Sequence, residues 1–180
     1  MEKHEKEQQA KIEIRALGNE ELEQALHFIW EVYARTEAHM RSDDAIQDFL
    51  CKIDFEYAAL RMGEGVLRFW GAYMNEKLIG VCAFRGLGQV YLLYVDPRAQ
   101  GNGVATRLLK RAVFDSKRHD DELARIVVEA PDIAVGFFAK LGFEALSKPE
   151  EDCGVDYTAM ELKPEAAAAA PFRENPLGLE

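Results

Sequence analysis

The chain has 180 residues, of which 48% are hydrophobic and 30% are charged, a composition typical of a globular protein rather than a collagen-like, disordered or disulfide-rich chain. The 22 basic and 32 acidic residues give a net charge of −10, which disfavours nucleic acids and anionic membranes as partners and is compatible with a small cationic substrate. The three cysteines are widely spaced, so we predict neither a disulfide framework nor a metal site.

The two ends of the chain differ from the segment between them. Residues 1–10 are polar and lack the apolar core of a signal peptide, so we predict a disordered extension and a cytoplasmic protein. The strongest apolar stretch, 78–84, is too short to span a bilayer. An Ala- and Pro-rich segment at 164–180 is predicted to be a tail, which leaves residues 11–163 as a single domain.

The first third of this domain is predicted to contain one strand and two helices. Residues 11–17 alternate apolar and polar side chains, as a strand does. Asn19 and Ser42 are the predicted N-caps of two helices, because apolar residues recur at helical spacing after each of them. Residues 54–65 give no clear signal.

The rest of the domain is predicted to supply most of a sheet. Residues 66–74 and 78–85 have the pattern of a hairpin, and the almost wholly apolar segment 89–95 indicates a buried central strand. The further predicted elements are a helix over 104–118, a strand over 123–130, a helix over 133–141, and strands over 143–146 and 155–162. This order predicts an α/β (α+β) protein with a mixed sheet and helices on both faces.

The most informative segment is the turn between the strand 89–95 and the helix 104–118. Pro97 stops the strand, and Gly101 and Gly103 lead directly into the helix. Such a turn brings unpaired backbone N–H groups to the positive end of a helix dipole, which suits a phosphate or pyrophosphate. The Lys of a P-loop is missing, and Thr106 stands where a dinucleotide fingerprint needs Gly or Ala. An anion site is therefore predicted without either common nucleotide motif.

Positive charge is concentrated just after this turn. Six basic residues lie between positions 98 and 118, against one acidic residue, Asp115. They are Arg98, Arg107, Lys110, Arg111, Lys117 and Arg118. They favour an anionic ligand if they face it, and the alternative is a solvated helix face.

Two segments resemble motifs of the GNAT superfamily of acetyl-CoA-dependent N-acetyltransferases. Residues 100–105 (QGNGVA) are similar to its Q/R-x-x-G-x-G/A signature, and residues 134–143 (AVGFFAKLGF) resemble its second landmark, A-x-x-F-Y-x-K-x-G-F. The resemblance is strong from about residue 78 to 146 and fits the element order from 11 to 163. It implies a GNAT-like, mostly antiparallel sheet of six to seven strands with a central parallel pair that splays apart.

The resemblance implies that acetyl-CoA binds beside this splayed pair. The main chain of residues 93–95 would pair with the pantetheine arm, the amides of residues 100–106 would hold the pyrophosphate, and an N–H near Val95 would stabilise the oxyanion. The implied cofactor-binding residues are Leu93, Tyr94, Val95, Gln100, Gly101, Asn102, Gly103, Val104, Ala105, Thr106 and Phe138. The implied reaction is direct transfer of an acetyl group to a primary amine of a small molecule or a protein, by a monomer or homodimer.

The chain departs from the family pattern where protons are transferred. Phe138 stands where the family usually has a Tyr that protonates the leaving thiolate, and the strand 89–95 lacks the Glu that many relatives use as a base. Glu129 and Tyr91 are the candidate catalytic residues, because burial at a strand end would make Glu129 a useful base. A solvent-facing strand end is the alternative for Glu129, and Tyr157 is a further possible source of a hydroxyl.

Two other functions stay open. Phe138 favours a non-catalytic acyl-CoA-binding sensor or regulatory domain, and the glycine turn alone is compatible with a nucleotide-binding regulatory domain. The sequence does not identify the amine acceptor. Four acidic residues of the first helical region could attract a cationic acceptor or could be plain solvated carboxylates: Glu37, Asp43, Asp44 and Glu56.

Overall fold

A computed structural model describes residues 11–163, and the predicted extension at 1–10 and tail at 164–180 lie outside the described residues. The chain begins with β1 (Ile12–Ala16), α1 (Leu22–Thr36), α2 (Asp43–Lys52) and α3 (Phe55–Gly63). Helix α3 covers the segment without a prediction. Asp54 caps it by accepting the Tyr57 N–H at 2.8 Å, but Ala58 alone is fully buried in it, so its apolar periodicity is weak.

The remaining elements complete one eight-stranded sheet in the order β1-β2-β3-β4-β5-β8-β6, with β7 paired to β8. The strands are β2 (Leu67–Met74), β3 (Lys77–Arg85), β4 (Gln89–Val95), β5 (Ile126–Pro131), β6 (Glu144–Ala145), β7 (Glu150–Asp152) and β8 (Val155–Leu162). Helix α4 (Val104–His119) connects β4 to β5, and α5 (Val135–Lys140) lies between β5 and β6. The β4–β5 pair is parallel and the other pairs are antiparallel. The predicted fold class is confirmed, with the all-acidic β7 as a strand that the hydrophobic pattern does not reveal.

Helices cover both faces of the sheet and divide the core into two clusters. Helices α1, α2 and α3 pack on one face around residues such as Ile29 and Phe69. Helices α4 and α5 pack on the other face around residues such as Leu108 and Phe138. Strand β3 is buried on both sides, since Val81 belongs to the first cluster and Cys82 to the second. This double burial explains the continuous apolar run in its sequence.

Helix α4 is held tightly against the sheet. A Cβ on Gly80 of β3 would lie 2.9 Å from a leucine side chain of α4, so glycine allows the helix to approach the strand closely. Arg107 donates to the Ile12 carbonyl at 2.9 Å and Arg111 to the Ile14 carbonyl at 3.2 Å. Two of the six basic residues therefore tie β1 to α4, and the interpretation that they face an anionic ligand is wrong for both.

The start of α1 differs from the prediction. Residues 19–21 form a 3-10 turn before the helix, so Asn19 is not its N-cap. The carboxylate of Glu21 accepts hydrogen bonds from the Gly18 N–H at 3.1 Å, from Arg15 at 2.6 and 2.8 Å, and from the Tyr73 hydroxyl at 3.2 Å. The hydrogen bonds from Arg15 are the main reason why the pKa of Glu21 falls from 4.5 to about 2.

We expect Glu21→Gln to destabilise the protein in a pH-dependent way. A pKa that is lowered in the folded state means that the carboxylate stabilises the fold above about pH 4.5 and that this contribution is lost as the pH falls towards about 2. Arg15 is 42% exposed, so solvent screens the pair and we expect a loss of about 1 kcal/mol, or about 2–4 °C in Tm, near neutral pH.

Thermal unfolding followed by circular dichroism should show the Tm difference between Glu21→Gln and the wild type shrinking as the pH is lowered through this range. Glu64→Gln is the matched control, because Glu64 pairs with Arg61 at 2.8 Å on the exposed surface and its loss should change Tm less. A Tm difference that is the same at every pH would contradict the role given to Glu21.

Candidate functional site

Strands β4 and β5 lie side by side only where they begin. Gln89 pairs with Val127 and Val90 with Val128, and beyond these two pairs the strands part. The parallel pair that the resemblance implies is therefore present, and it splays apart as expected. Within residues 11–163, no strand pairs with the edge of β4 that faces β5 after Val90.

A bulge in β4 coincides with the point of separation. Ala83 of β3 lies opposite Leu92, whereas the next residue, Phe84, lies opposite Val90. Tyr91 is therefore an extra residue without a partner on β3. A bulge bends its strand and interrupts pairing, so the irregularity at Tyr91 accounts for the divergence of β4 from β5.

A cavity of about 730 Å³ occupies the gap and extends to helices α1, α2, α4 and α5. Its wall contains all but one of the predicted cofactor-binding residues. Those present are Leu93, Tyr94, Val95, Gln100, Gly101, Gly103, Val104, Ala105, Thr106 and Phe138. The exception is Asn102, whose amide donates back to the carbonyls of Ala99 and Gln100, each at 3.3 Å. The fold thus brings the predicted set together, and its contact with a cofactor stays a prediction.

The turn after β4 is held in shape by its own side chains. Asp96 is buried and accepts the Arg98 N–H at 2.9 Å. The Gln100 side-chain amide donates to the Val95 carbonyl at 3.1 Å. These bonds connect the end of β4 to the segment before α4, so the turn has a defined shape before any ligand binds.

Gly101 and Gly103 leave open space at the start of α4. Their φ angles are +78° and +72°, in the region that favours glycine, and a Cβ on either would meet no atom within 4 Å. Arg107 donates its backbone N–H to the Gly103 carbonyl at 3.0 Å, whereas the N–H groups of residues 104–106 precede the first intrahelical bonds. Their position at the positive end of the helix dipole fits the pyrophosphate of a nucleotide cofactor.

The two predicted catalytic residues both line the cavity. Glu129 is exposed, so the expectation that its strand buries it is wrong; β4 has already parted from β5 beside it. Tyr91 donates its hydroxyl to the Lys52 carbonyl at 3.2 Å and lies under the Arg85 guanidinium, 4.3 Å from the ring centre. Burial raises the pKa of Tyr91. This hydroxyl therefore ties β4 to α2, and catalytic roles for both residues stay predictions.

Phe138 of α5 forms part of the cavity wall. Its side chain is buried and makes edge-to-face contacts with Phe137 and Phe143, at centroid distances of 5.1 and 5.2 Å. A phenyl ring in this position shapes the cavity but has no proton to donate. Any proton transfer at this site must therefore involve other groups.

Glu37 lines the cavity, and it is one of the four acidic residues of the first helical region that the sequence offers as possible attractors of a cationic acceptor. Its side chain is 12% exposed and lies 3.5 Å from the guanidinium of Arg41, and it is near enough to Tyr94 of β4 for its charge to add to burial in raising the pKa of that hydroxyl. Burial raises the pKa of Glu37. The sequence signal is its spacing of four residues from the buried Tyr33, which places both on one helix face. The other acidic residues named with it are exposed and lie outside the wall: Asp43, Asp44 and Glu56.

Residues 11–163 contain neither a cluster of metal-binding side chains nor a membrane-spanning helix. In this part of the chain, no group of three or more His, Cys, Asp and Glu side chains is placed to hold a metal ion. No helix in the same range is long and apolar enough to cross a bilayer. The three cysteines are free, with Cys82 buried and the other two exposed.

The sequence profile of the acetyltransferase (GNAT) domain matches residues 37–164. The chain belongs to the GNAT acetyltransferase family. The resemblance that residues 100–105 and 134–143 indicate is therefore confirmed. No curated protein matches the sequence of this GNAT protein.

Solved structures share the fold of this GNAT protein at low sequence identity. PaiA N-acetyltransferase from Thermoplasma acidophilum, in complex with coenzyme A, is 24% identical with a TM-score of 0.67, over 85% of this chain and 99% of that one. A predicted acetyltransferase from Clostridium acetobutylicum, with acetyl-CoA, is 17% identical with a TM-score of 0.62, over 79% and 96%. A spermidine N-acetyltransferase chimera from Vibrio cholerae SpeG and hSSAT is 17% identical with a TM-score of 0.58, over 87% and 98%.

We expect Gly103→Val to weaken acetyl-CoA binding at least tenfold, because the side chain would occupy the open space before α4 and strain a positive-φ position. Gly86→Val is the matched control, since Gly86 also has a positive φ of 58° and open space around it but lies outside the cavity wall. Calorimetric titration should show weaker binding for Gly103→Val alone, with similar losses of Tm for both variants. Wild-type affinity in folded Gly103→Val would contradict the placement of the pyrophosphate.

Proposed function

We propose that this GNAT protein is an acetyl-CoA-dependent N-acetyltransferase that transfers an acetyl group directly to a primary amine of a small molecule or a protein. The parted strands β4 and β5 beside the glycine turn carry the proposal. The cavity between them, about 730 Å³, has the size of a typical small-molecule site. Relatives with the same fold have been solved with coenzyme A and with acetyl-CoA, which supports the choice of cofactor.

The proposed cofactor site uses the backbone more than side chains. The edge of β4 after Val90 has no partner strand among the described residues, so residues 93–95 offer backbone groups to an extended chain with amides of its own, as in β-strand addition. The pantetheine arm is such a chain. The N–H groups of residues 104–106 would then hold the pyrophosphate. Acetyl-CoA supplies the acetyl group as a reactive thioester.

The proposed acceptor site is the part of the cavity next to α1 and α2. Carboxylates and cations both line the cavity, and two of its three cations have carboxylate partners: Lys52 pairs with Asp48 at 2.7 Å, and Arg41 with Glu37 and Asp132, each at 3.5 Å. The third cation, Arg85, lies over the Tyr91 ring. Pairing reduces the repulsion that the first two exert on an approaching ammonium group. A cationic amine acceptor is therefore compatible with this wall, and we propose the acceptor only as a class, a primary amine.

Calorimetric titration with acetyl-CoA, with ATP and NAD as controls, is the first test. We expect saturable binding of acetyl-CoA alone, followed by release of coenzyme A when primary amines are added, measured by reaction of its free thiol. ATP or NAD binding that coenzyme A does not displace would instead support a nucleotide-binding regulatory domain. Absence of acetyl-CoA binding by folded protein would contradict the proposed function.

A non-catalytic acyl-CoA-binding sensor is the second candidate, because Phe138 cannot donate a proton. Phe138→Tyr distinguishes the two, since general acid catalysis contributes about 10²- to 10⁴-fold. For an enzyme we expect Phe138→Tyr to raise kcat by about tenfold or more, in assays of coenzyme A release. Phe143→Tyr is the matched control, because Phe143 is buried beside Phe138 but lies outside the cavity wall. Unchanged acetyl-CoA binding without turnover in the wild type and in both variants would favour the sensor.

A further inference from the structure

The cavity wall contains one largely buried carboxylate, and it belongs to α1 and its end rather than to the sheet. Resting on the proposed function, we infer that Glu37 is the general base that removes a proton from the acceptor ammonium, and that Tyr94 is the residue that positions it. Both residues line the cavity. The assignment gives the missing base a location that differs from the sequence-based candidate, Glu129.

The position of Tyr94 on β4 connects Glu37 to the reaction. Tyr94 belongs to residues 93–95, the stretch of β4 proposed to lie along the cofactor, and it lines the same cavity as Glu37, close enough for the charge of Glu37 to act on its hydroxyl. The carboxylate therefore lies beside the strand next to which the thioester is proposed to bind. Its side chain is 12% exposed, so it borders the cavity while being largely shielded from bulk water. Glu129, by contrast, is exposed.

Aromatic packing fixes the position of Tyr94. Its ring makes an edge-to-face contact with Phe49 of α2, at a centroid distance of 5.7 Å, and Phe49 stacks on Tyr33 of α1 at 3.7 Å. Burial, followed by the charge of Glu37, raises the pKa of Tyr94 well above its ordinary value. Tyr94 therefore keeps its proton, and we infer that its hydroxyl positions the Glu37 carboxylate by donating to it when the acceptor binds.

The charges around Glu37 leave it able to bind a proton. Arg41 faces it at 3.5 Å but also contacts Asp132 from the β5–α5 connection at the same distance. Tyr94 faces it from β4, and neighbouring Tyr33 interacts with Lys52 of α2 and Tyr157 of β8. Burial outweighs these partners and raises the pKa of Glu37. A carboxylate whose pKa is raised holds a transferred proton more readily than an ordinary glutamate does, which suits it to proton transfer.

The inferred step balances as follows. A carboxylate oxygen of Glu37 accepts one proton from the acceptor ammonium, and the N–H bond electrons stay on nitrogen as a lone pair. This nitrogen attacks the thioester carbonyl carbon, and the C–S bond breaks with its electrons on sulfur. The nitrogen loses a second proton to water while the thiolate takes one from water. Glu37 then releases its proton to solvent, which leaves an acetamide, coenzyme A and one proton.

The test compares Glu37→Gln, Tyr94→Phe and Glu129→Gln by their pH profiles of kcat/KM. The probes are spermidine, L-lysine, tyramine and benzylamine with saturating acetyl-CoA, and the one with the fastest wild-type turnover is used. For Glu37→Gln we expect kcat to fall about 100-fold or more, loss of the acidic limb of the profile, and unchanged acetyl-CoA affinity by calorimetry. For Glu129→Gln, the competing candidate, we expect the acidic limb to remain. Glu64→Gln is the control that should keep the wild-type profile, because Glu64 is exposed and lies outside the cavity wall.

Tyr94→Phe provides a readout that a purely structural role would not change. The Tyr94 hydroxyl acts to lower the pKa of Glu37, against the larger effect of burial, so its removal should move the acidic limb to higher pH. A direct measurement needs no acceptor: NMR titration of ¹³C-labelled glutamate carboxyl groups, assigned by comparison with Glu37→Gln. We expect the pKa of Glu37 to lie above the ordinary value of 4.5, and an ordinary value would overturn the inference.

The outcomes separate this inference from the proposed function. Wild-type rates and an intact acidic limb in folded Glu37→Gln overturn the role of Glu37 and leave the acetyltransferase function standing. Loss of the limb in Glu129→Gln assigns the base to Glu129 instead. Wild-type protein that binds acetyl-CoA but acetylates none of the four probes counts against the proposed transferase function, and the inference falls with it.

Discussion

The separation of β4 from β5 after Val90 is the constraint on which the rest of the site depends. A strand buried within a sheet normally satisfies its backbone groups on both edges. Strand β4 pairs with β3 at every residue except Tyr91, but with β5 at two residue pairs only. The bulge at Tyr91 begins the divergence. It leaves backbone donors and acceptors facing a cavity, and those groups need a partner from water or from a ligand. An extended ligand with amides of its own meets that need.

The start of α4 is useful to such a ligand only if its position is fixed relative to β4. Close packing at Gly80 of β3 and the hydrogen bonds from Arg107 and Arg111 to β1 hold α4 in place on the sheet. The hydrogen bonds of Gln100 and Asp96 hold the turn between β4 and α4 in shape. Binding then requires little rearrangement of the protein, so less of the interaction energy is lost to ordering.

Electrostatics at the site follow from burial and pairing more than from the net charge of −10. Arg41 and Lys52 carry positive charge into the cavity wall, but carboxylates accompany both. Glu37 lies where solvent is largely excluded, and Arg41 divides its contacts between Glu37 and Asp132. Desolvation therefore dominates the proton affinity of Glu37. A wall of this kind can receive an amine and take a proton from it without a strong overall field.

Features that depend on residues close together in the chain could be predicted from the sequence alone. The glycine turn and the segment 134–143 identified the family, because they specify a backbone shape through residues next to one another, and the fold class followed from the alternation of periodicities. The sequence did not reveal α3 or β7, whose apolar patterns are too weak. The tertiary structure was needed to show that Glu37 and Tyr94 line one cavity, that Arg107 bonds to β1 and that Glu129 is exposed. The physical reason is that side-chain neighbours across a sheet depend on strand register, strand separation and helix docking, and none of these is encoded in local spacing.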